Sequence, residues 1–144
     1  MPLIHSVNEE RCSAGVWQIE ESESYFLKEL HLYEEEKQEL KTLSDRKRIQ
    51  WLASRHLLHI LTNEEKRLVT SKDNFGKPFL IDSPLHISLS HSEDVVAAII
   101  GEFSIGIDIQ MKVEKLYRIK NRFLSERELS EIKNIDDLEL LHIY

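Results

Sequence analysis

Cysteine is nearly missing from this 144-residue chain. Cys12 stands alone, which excludes an internal disulfide framework and a cysteine-built zinc site and fits a reducing compartment. Glycine and proline are also scarce, at four and three residues, so no flexible linker or low-complexity tract separates parts of the chain. No apolar run approaches the roughly 20 residues of a membrane-spanning helix. The opening MPLIHSVNEE lacks the charged and apolar regions of a signal peptide, so a cytoplasmic protein is expected. Positive charge is in deficit: 19 Lys and Arg against 26 Asp and Glu leave a net charge of −7, which argues against a general nucleic-acid binder. A compact anionic ligand at a local basic spot, such as Arg46, Lys47 and Arg48, remains compatible with that balance.

What the chain does have is 41% hydrophobic content, enough to bury a core in one domain or in two small lobes that share an interface. Residues 3–5 and 15–19 read as strands, and residues 24–39 as helix interrupted near His31 to Tyr33. Ser44 or Asp45 then caps a strong helix, in which Ile49, Leu52, Ala53, Leu57, Ile60 and Leu61 recur at helical spacing. Residues 67–71 and 78–81 read as a hairpin around the turn Asp73-Asn74-Phe75-Gly76, with Lys77 at its shoulder. His86-Ile87-Ser88-Leu89-Ser90 alternates with period two, residues 95–100 form an apolar run ending at Gly101, and residues 105–109 read as a further strand carrying Asp108. Ser125 with Glu128, and Asp136 with Glu139, have the spacing of helix-starting capping boxes.

A weak internal echo points to two lobes. Gly15-Val16-Trp17-Gln18-Ile19 precedes a helical pair much as Gly106-Ile107-Asp108-Ile109-Gln110 does, and Glu36-Lys37-Gln38-Glu39-Leu40 resembles Ser125-Glu126-Arg127-Glu128-Leu129 at a similar offset. If the echo is real, the long helix of the first lobe should have a counterpart that begins near Asp137 and runs past Tyr144, leaving the second lobe incomplete.

Three features could carry chemistry. Asp108 sits among isoleucines, where an acid needs a cation, a metal or a donor to offset its desolvation. The competing explanation is a strand-end aspartate bonded to a neighbouring turn. Ser90-His91 ends an alternating strand, where a hydroxyl and an imidazole can turn toward an anion. Gly76-Lys77-Pro78 sets an ammonium beside an exposed turn backbone, a combination suited to phosphate. Arg46, Lys47 and Arg48 are as readily explained as a solvated surface cluster.

Taken in order, Asn74-Phe75-Gly76-Lys77-Pro78, Ile87-Ser88-Leu89-Ser90-His91-Ser92 and Gly106-Ile107-Asp108-Ile109-Gln110 resemble the 4′-phosphopantetheinyl transferase family, more narrowly its larger monomeric, two-lobed type. The resemblance implies an α+β fold of two similar lobes, each with a small, mostly antiparallel sheet and a long helix. Residues 1–101 would form the N-terminal lobe on the coenzyme A nucleotide side, and residues 102–144 the start of a truncated C-terminal lobe. It implies transfer of the phosphopantetheine arm of coenzyme A to a serine of an apo acyl or peptidyl carrier protein, with release of adenosine 3′,5′-bisphosphate and dependence on Mg2+. Asp108 would be the primary metal ligand and Gln110 the next metal-facing position. Gln110 stands where related sequences often carry glutamate, and a neutral amide binds a hard cation less well. Lys77, Ser90 and His91 would contact coenzyme A. Arg46, near the start of the long helix, would face its 3′-phosphate and is favoured over Arg55, which lies nine residues on and so near the opposite rotation of a straight helix. The family's Lys-Glu motif would fall beyond Tyr144, and transfer by this form of the chain is expected to be impaired. Two alternatives stand beside this reading: a non-catalytic module that grips coenzyme A or a carrier protein, and a metal-dependent hydrolase built from His86, His91 and Asp108. Neither nucleic acid nor membrane is an expected partner.

Overall fold

The structure, a computed structural model, describes residues 3–110 together with 126–127. The fold is α+β. Strands β1 (Leu3–Asn8) and β2 (Cys12–Gln18) are followed by helices α1 (Glu23–Leu30), α2 (Glu34–Lys41) and α3 (Asp45–Thr62). Strands β3 (Thr70–Lys72), β4 (Pro78–Leu80), β5 (His86–Ser92) and β6 (Val95–Gly101) complete it. An antiparallel four-stranded sheet runs β1-β2-β6-β5, and β3 with β4 forms a separate antiparallel hairpin. By its contacts the chain divides into two compact units, Met1–Ile109 and Gln110–Tyr144.

The apolar run in β6 explains its central place. Val95, Val96, Ala97, Ala98 and Ile100 are all buried, because β6 pairs on both edges, Gln18↔Val95 through Cys12↔Gly101 on one side and Ser92↔Val95 through His86↔Gly101 on the other. Gly101 is needed at that crossing, since a Cβ there would come within 2.9 Å of Cys12 Cβ. Helix α3 presents Trp51, Leu52, Ala53 and Leu57 to Trp17, Val96 and Ala98, joined by Phe26, Leu30 and Leu40 from the shorter helices. Each fully buried side chain such as Leu52 or Leu57 contributes about 2 kcal/mol. Leu58, Leu80, Ile87 and Ile100 make a second cluster that holds the β3–β4 hairpin against the end of α3 and the sheet.

The break between α1 and α2 lies where the sequence suggested, with His31 in the left-handed region at φ 50°. A buried ion pair fixes the angle. Glu36 is 1% exposed and receives both terminal nitrogens of Arg67, one at 2.9 Å, while Arg67 Nε donates to the Leu30 carbonyl at 3.0 Å and closes the end of α1. The Tyr33 N–H donates to Glu36 Oε1 at 3.1 Å and its ring lies under the Arg67 guanidinium. This corrects the expected strand at residues 67–71: Arg67 is drawn inward by Glu36, and pairing begins only at Thr70.

The expected strand at residues 105–109 is also absent. The segment lies beside β5, but the amides of Ile107 and Ile109 donate to the hydroxyls of Ser88 and Ser90, each at 3.1 Å, instead of joining a backbone ladder. Ile105, Ile107 and Ile109 are half-buried and alternate with exposed Gly106, Asp108 and Gln110. In the second unit, residues 126–127 are helical and exposed. The remaining helices read from the capping-box spacings, and the counterpart of α3 that the echo suggested, fall outside the described residues. Among the described residues, no helix is long and apolar enough to cross a membrane.

Candidate anion-binding cleft

Helix α3 carries a second face beside its core face. Lys47, Gln50, Trp51, Ser54 and Arg55 follow the i, i+3, i+4, i+7, i+8 rule and so line one side of the helix. Opposite them stand Lys72 and Pro78 from the β3–β4 hairpin and Leu89, Ser90 and His91 from β5. Together with Leu43 these residues enclose a cleft of about 310 Å³. Among the described residues its lining holds Lys47, Arg55, Lys72 and His91 and no carboxylate, a local reversal of the chain's net charge of −7.

Arg55 is the most informative of these. It is 6% exposed, yet no carboxylate forms an ion pair with it among the described residues. Nε donates to Thr70 Oγ1 at 3.3 Å, Nη1 donates to Ser54 Oγ at 3.1 Å, and the guanidinium lies 4.3 Å from the centre of the Trp51 ring. All three partners are neutral. Burial pushes the guanidinium down to about 10, against the pull of the more distant Glu39 and Glu36. Arg55 therefore keeps its charge at neutral pH without a counter-ion in contact. The indole N–H of Trp51, on the same wall, is a buried donor with no acceptor among the described residues. Lys72 Nζ lies 2.9 Å from Glu39 Oε1, whereas Lys47 is exposed at the cleft's edge.

The residues expected from the sequence divide between this cleft and its surroundings. Ser90 and His91 line it. Lys77 does not. It lines a neighbouring groove of about 350 Å³ with Asp73, Phe79 and His86, and Pro78 borders both. The turn that carries Lys77 is well fixed: Gly76 takes φ 81°, and Asp73 Oδ1 accepts the amides of Phe75 at 2.8 Å and Lys77 at 2.9 Å. Arg46 is exposed and bonded to Glu93 in the β5–β6 turn, outside the cleft lining. Of the two arginines, Arg55 lines the cleft and Arg46 does not. Nine residues separate them by half a rotation, and the sheet and hairpin lie on the Arg55 side.

Asp108 is exposed, so desolvation does not explain it. Its Oδ1 instead accepts the Ser90 hydroxyl at 2.8 Å, which holds the carboxylate beside the β5 end of the cleft. Magnesium is commonly held by one or two carboxylates together with waters and substrate phosphates, and Asp108 fits that donor role. Gln110 is exposed and opens the second unit. A His86, His91 and Asp108 metal centre is not assembled. His86 belongs to the neighbouring groove, and no group of three or more His, Cys, Asp or Glu residues able to hold a metal occurs among the described residues.

Sequence reasoning missed Lys72 and passed over Lys47 and Arg55 as cleft residues. The available signal was the 47/50/51/54/55 stripe, in which a basic and polar helix face continues up to a core position.

No family model matches the chain. The 4′-phosphopantetheinyl transferase gsp of Aneurinibacillus migulanus is 31% identical over 77 residues, which are 54% of this chain. The match covers 32% of that protein, so the chain spans about a third of the length of the curated relative it matches. Over more than half of its length, this chain is therefore similar in sequence to a 4′-phosphopantetheinyl transferase.

Proposed function

We propose that the cleft binds the phosphates of coenzyme A, and that the chain serves transfer of the 4′-phosphopantetheine group to a serine of an apo carrier protein with Mg2+. The observation that carries this reading is Arg55, a buried guanidinium with only neutral partners among the described residues, at a cleft where those residues gather Lys47, Lys72 and His91 and no acid. A buried cation of that kind is stabilised by an anion that enters with its own charge, and a phosphate monoester matches the fork of a guanidinium. The similarity to the transferase gsp supports coenzyme A over other phosphates.

In this reading Arg55 and Lys47 grip a phosphate from the α3 wall, and His91 and Lys72 close on it from the other side. Asp108 supplies a carboxylate for Mg2+ beside Ser90. Bound there, the ion would neutralise charge that develops on the pyrophosphate oxygens. Lys77 and Arg46, both exposed outside the cleft lining, would act on more distant parts of the nucleotide.

Calorimetry with coenzyme A, dephospho-coenzyme A and adenosine 3′,5′-bisphosphate, each with and without Mg2+, tests the reading. Binding of coenzyme A is expected, with weaker binding when the 3′-phosphate is missing. Mass spectrometry of an apo carrier protein incubated with the chain, coenzyme A and Mg2+ tests transfer, which Asp108→Ala is expected to abolish while leaving the circular dichroism spectrum unchanged. No binding of any of the three nucleotides would remove the proposal. Binding without mass gain would reduce it to a coenzyme A-binding module.

A further inference from the structure

Among the described residues the cleft lining has no acid, but one stands next to it. Glu39 Oε1 lies 2.9 Å from Nζ of Lys72, a cation of the hairpin wall. Helix α2 does not explain that glutamate. Glu39 falls in the last turn of Glu34–Lys41, where the helix dipole disfavours an acid. Glu35 and Glu36 precede it by four and three residues, the spacings at which like charges on a helix repel. Glu36 is already matched by Arg67. Glu39 is thus turned to the cleft cations: it is the ion-pair partner of Lys72 and the acid with the largest pull on Arg55.

The contact with Lys72 is one that can be given up. Glu39 Oε1 is closed off from solvent, yet it accepts no hydrogen bond of good geometry among the described residues, so charge alone draws the ammonium to it. Lys72 ends β3 with its backbone fixed opposite Pro78, while its side chain is 45% exposed. A flexible four-carbon stem with three rotatable donors can swing from Glu39 to an anion in the cleft without moving the strand. A phosphate that enters must therefore take Lys72 from a carboxylate already in place.

We propose that Glu39 competes with a bound phosphate for Lys72, and so limits how tightly the cleft holds coenzyme A and its nucleotide product. The identity of those ligands rests on the function proposed above; the competition for Lys72 does not.

Calorimetry on the full chain reads the sign of the effect. Glu39→Gln should tighten coenzyme A and adenosine 3′,5′-bisphosphate about two- to fivefold, the size of one partly exposed charge contact. Glu102→Gln removes the same charge beside Arg11, outside the cleft lining, and should leave both affinities within about 1.5-fold. Lys72→Met should weaken coenzyme A, and in that background Glu39→Gln should no longer tighten it. NMR of the Lys72 ammonium gives an independent reading: its Nζ resonance should differ between wild type and Glu39→Gln without ligand and coincide once coenzyme A is bound. Urea unfolding of each variant confirms that it is folded during the titrations. The proposal is overturned if Glu39→Gln weakens coenzyme A or leaves it unchanged, since Glu39 would then hold Lys72 in place for the ligand. It is overturned equally if the gain survives in Lys72→Met, or if the bound-state resonances stay apart. A wild-type chain that binds neither nucleotide refutes the proposed function, and inorganic phosphate then decides the competition. Tighter phosphate binding in Glu39→Gln would uphold it; equal or absent binding would remove it.

Discussion

Replacing Arg55 with methionine separates a cation kept for a ligand from one kept for the fold. Methionine approximates the length of the arginine stem and removes the charge. In the unliganded protein the variant loses two hydrogen bonds to neutral partners, to Thr70 and Ser54, at about 1 kcal/mol each, and a stacked contact with Trp51 of about 1–2 kcal/mol. It also relieves the burial that pushes the guanidinium from its ordinary range down to about 10, which corresponds to about 3 kcal/mol. The two sides nearly cancel, so the unliganded variant should unfold in urea within about 1.5 kcal/mol of wild type. Ligand binding should respond very differently. A charge-assisted bond to phosphate contributes about 1.5–3 kcal/mol, so coenzyme A affinity should fall about 10- to 100-fold. Thermal unfolding makes the contrast visible. At a coenzyme A concentration of about 100 times the wild-type Kd, the wild-type chain gains about 2.7 kcal/mol, or about 10 °C in Tm. The same concentration would only match the Kd of a hundredfold weaker variant, giving about 0.4 kcal/mol and a shift of about 1–2 °C. Arg55→Lys, which keeps the charge but not the fork, should fall between. An Arg55→Met chain that loses 3 kcal/mol or more without ligand and still shifts like wild type with coenzyme A would show that the guanidinium serves the fold, and the reasoning would fail.

Other perturbations test other parts of the molecule. Glu36→Gln leaves the buried Arg67 guanidinium without its counter-charge and should lose about 3–5 kcal/mol in urea unfolding, most of which a Glu36→Leu, Arg67→Met double variant should regain. Burial holds the imidazoles of His56 and His59 below the ordinary histidine range. Because the unfolded chain then binds more protons than the folded one, stability is fully present above the unfolded value near 6.5 and is lost as pH falls. Urea midpoints at pH 7 and pH 5 should therefore drop for wild type and drop less for His56→Phe, which keeps an aromatic ring against Trp17, Tyr25 and Phe26. Asp73→Ala removes the carboxylate that accepts the Phe75 and Lys77 amides, and should speed hydrogen exchange at both amides while lowering global stability by no more than about 2 kcal/mol.

Local patterns in the sequence were enough for most of the elements of the first unit. The apolar run of β6, the alternation of β5, the interruption at His31 to Tyr33 and the periodicity of α3 are each written within a few neighbouring residues, and local sterics and burial decide them. The same holds for the Asp73 to Gly76 turn, where a positive φ requires glycine. The candidate site was legible only in pieces, because a motif names residue types without saying which face of an element meets which neighbour. Ser90, His91 and Asp108 were readable as chemistry-bearing residues, yet the reason first given for Asp108, burial, was not the one that applies. Its serine partner lies eighteen positions away in sequence, and only packing brings the two together. Arg55 shows the limit most plainly. From the sequence it was one of two arginines half a helical rotation apart. The fold placed the sheet and hairpin on its side of α3, closed Lys72, Pro78 and β5 around it, and left it buried without an acid among the described residues, while Arg46 turned to Glu93. The helical period determined that the two arginines would part company; long-range packing, which no local pattern encodes, decided which one would meet the cleft.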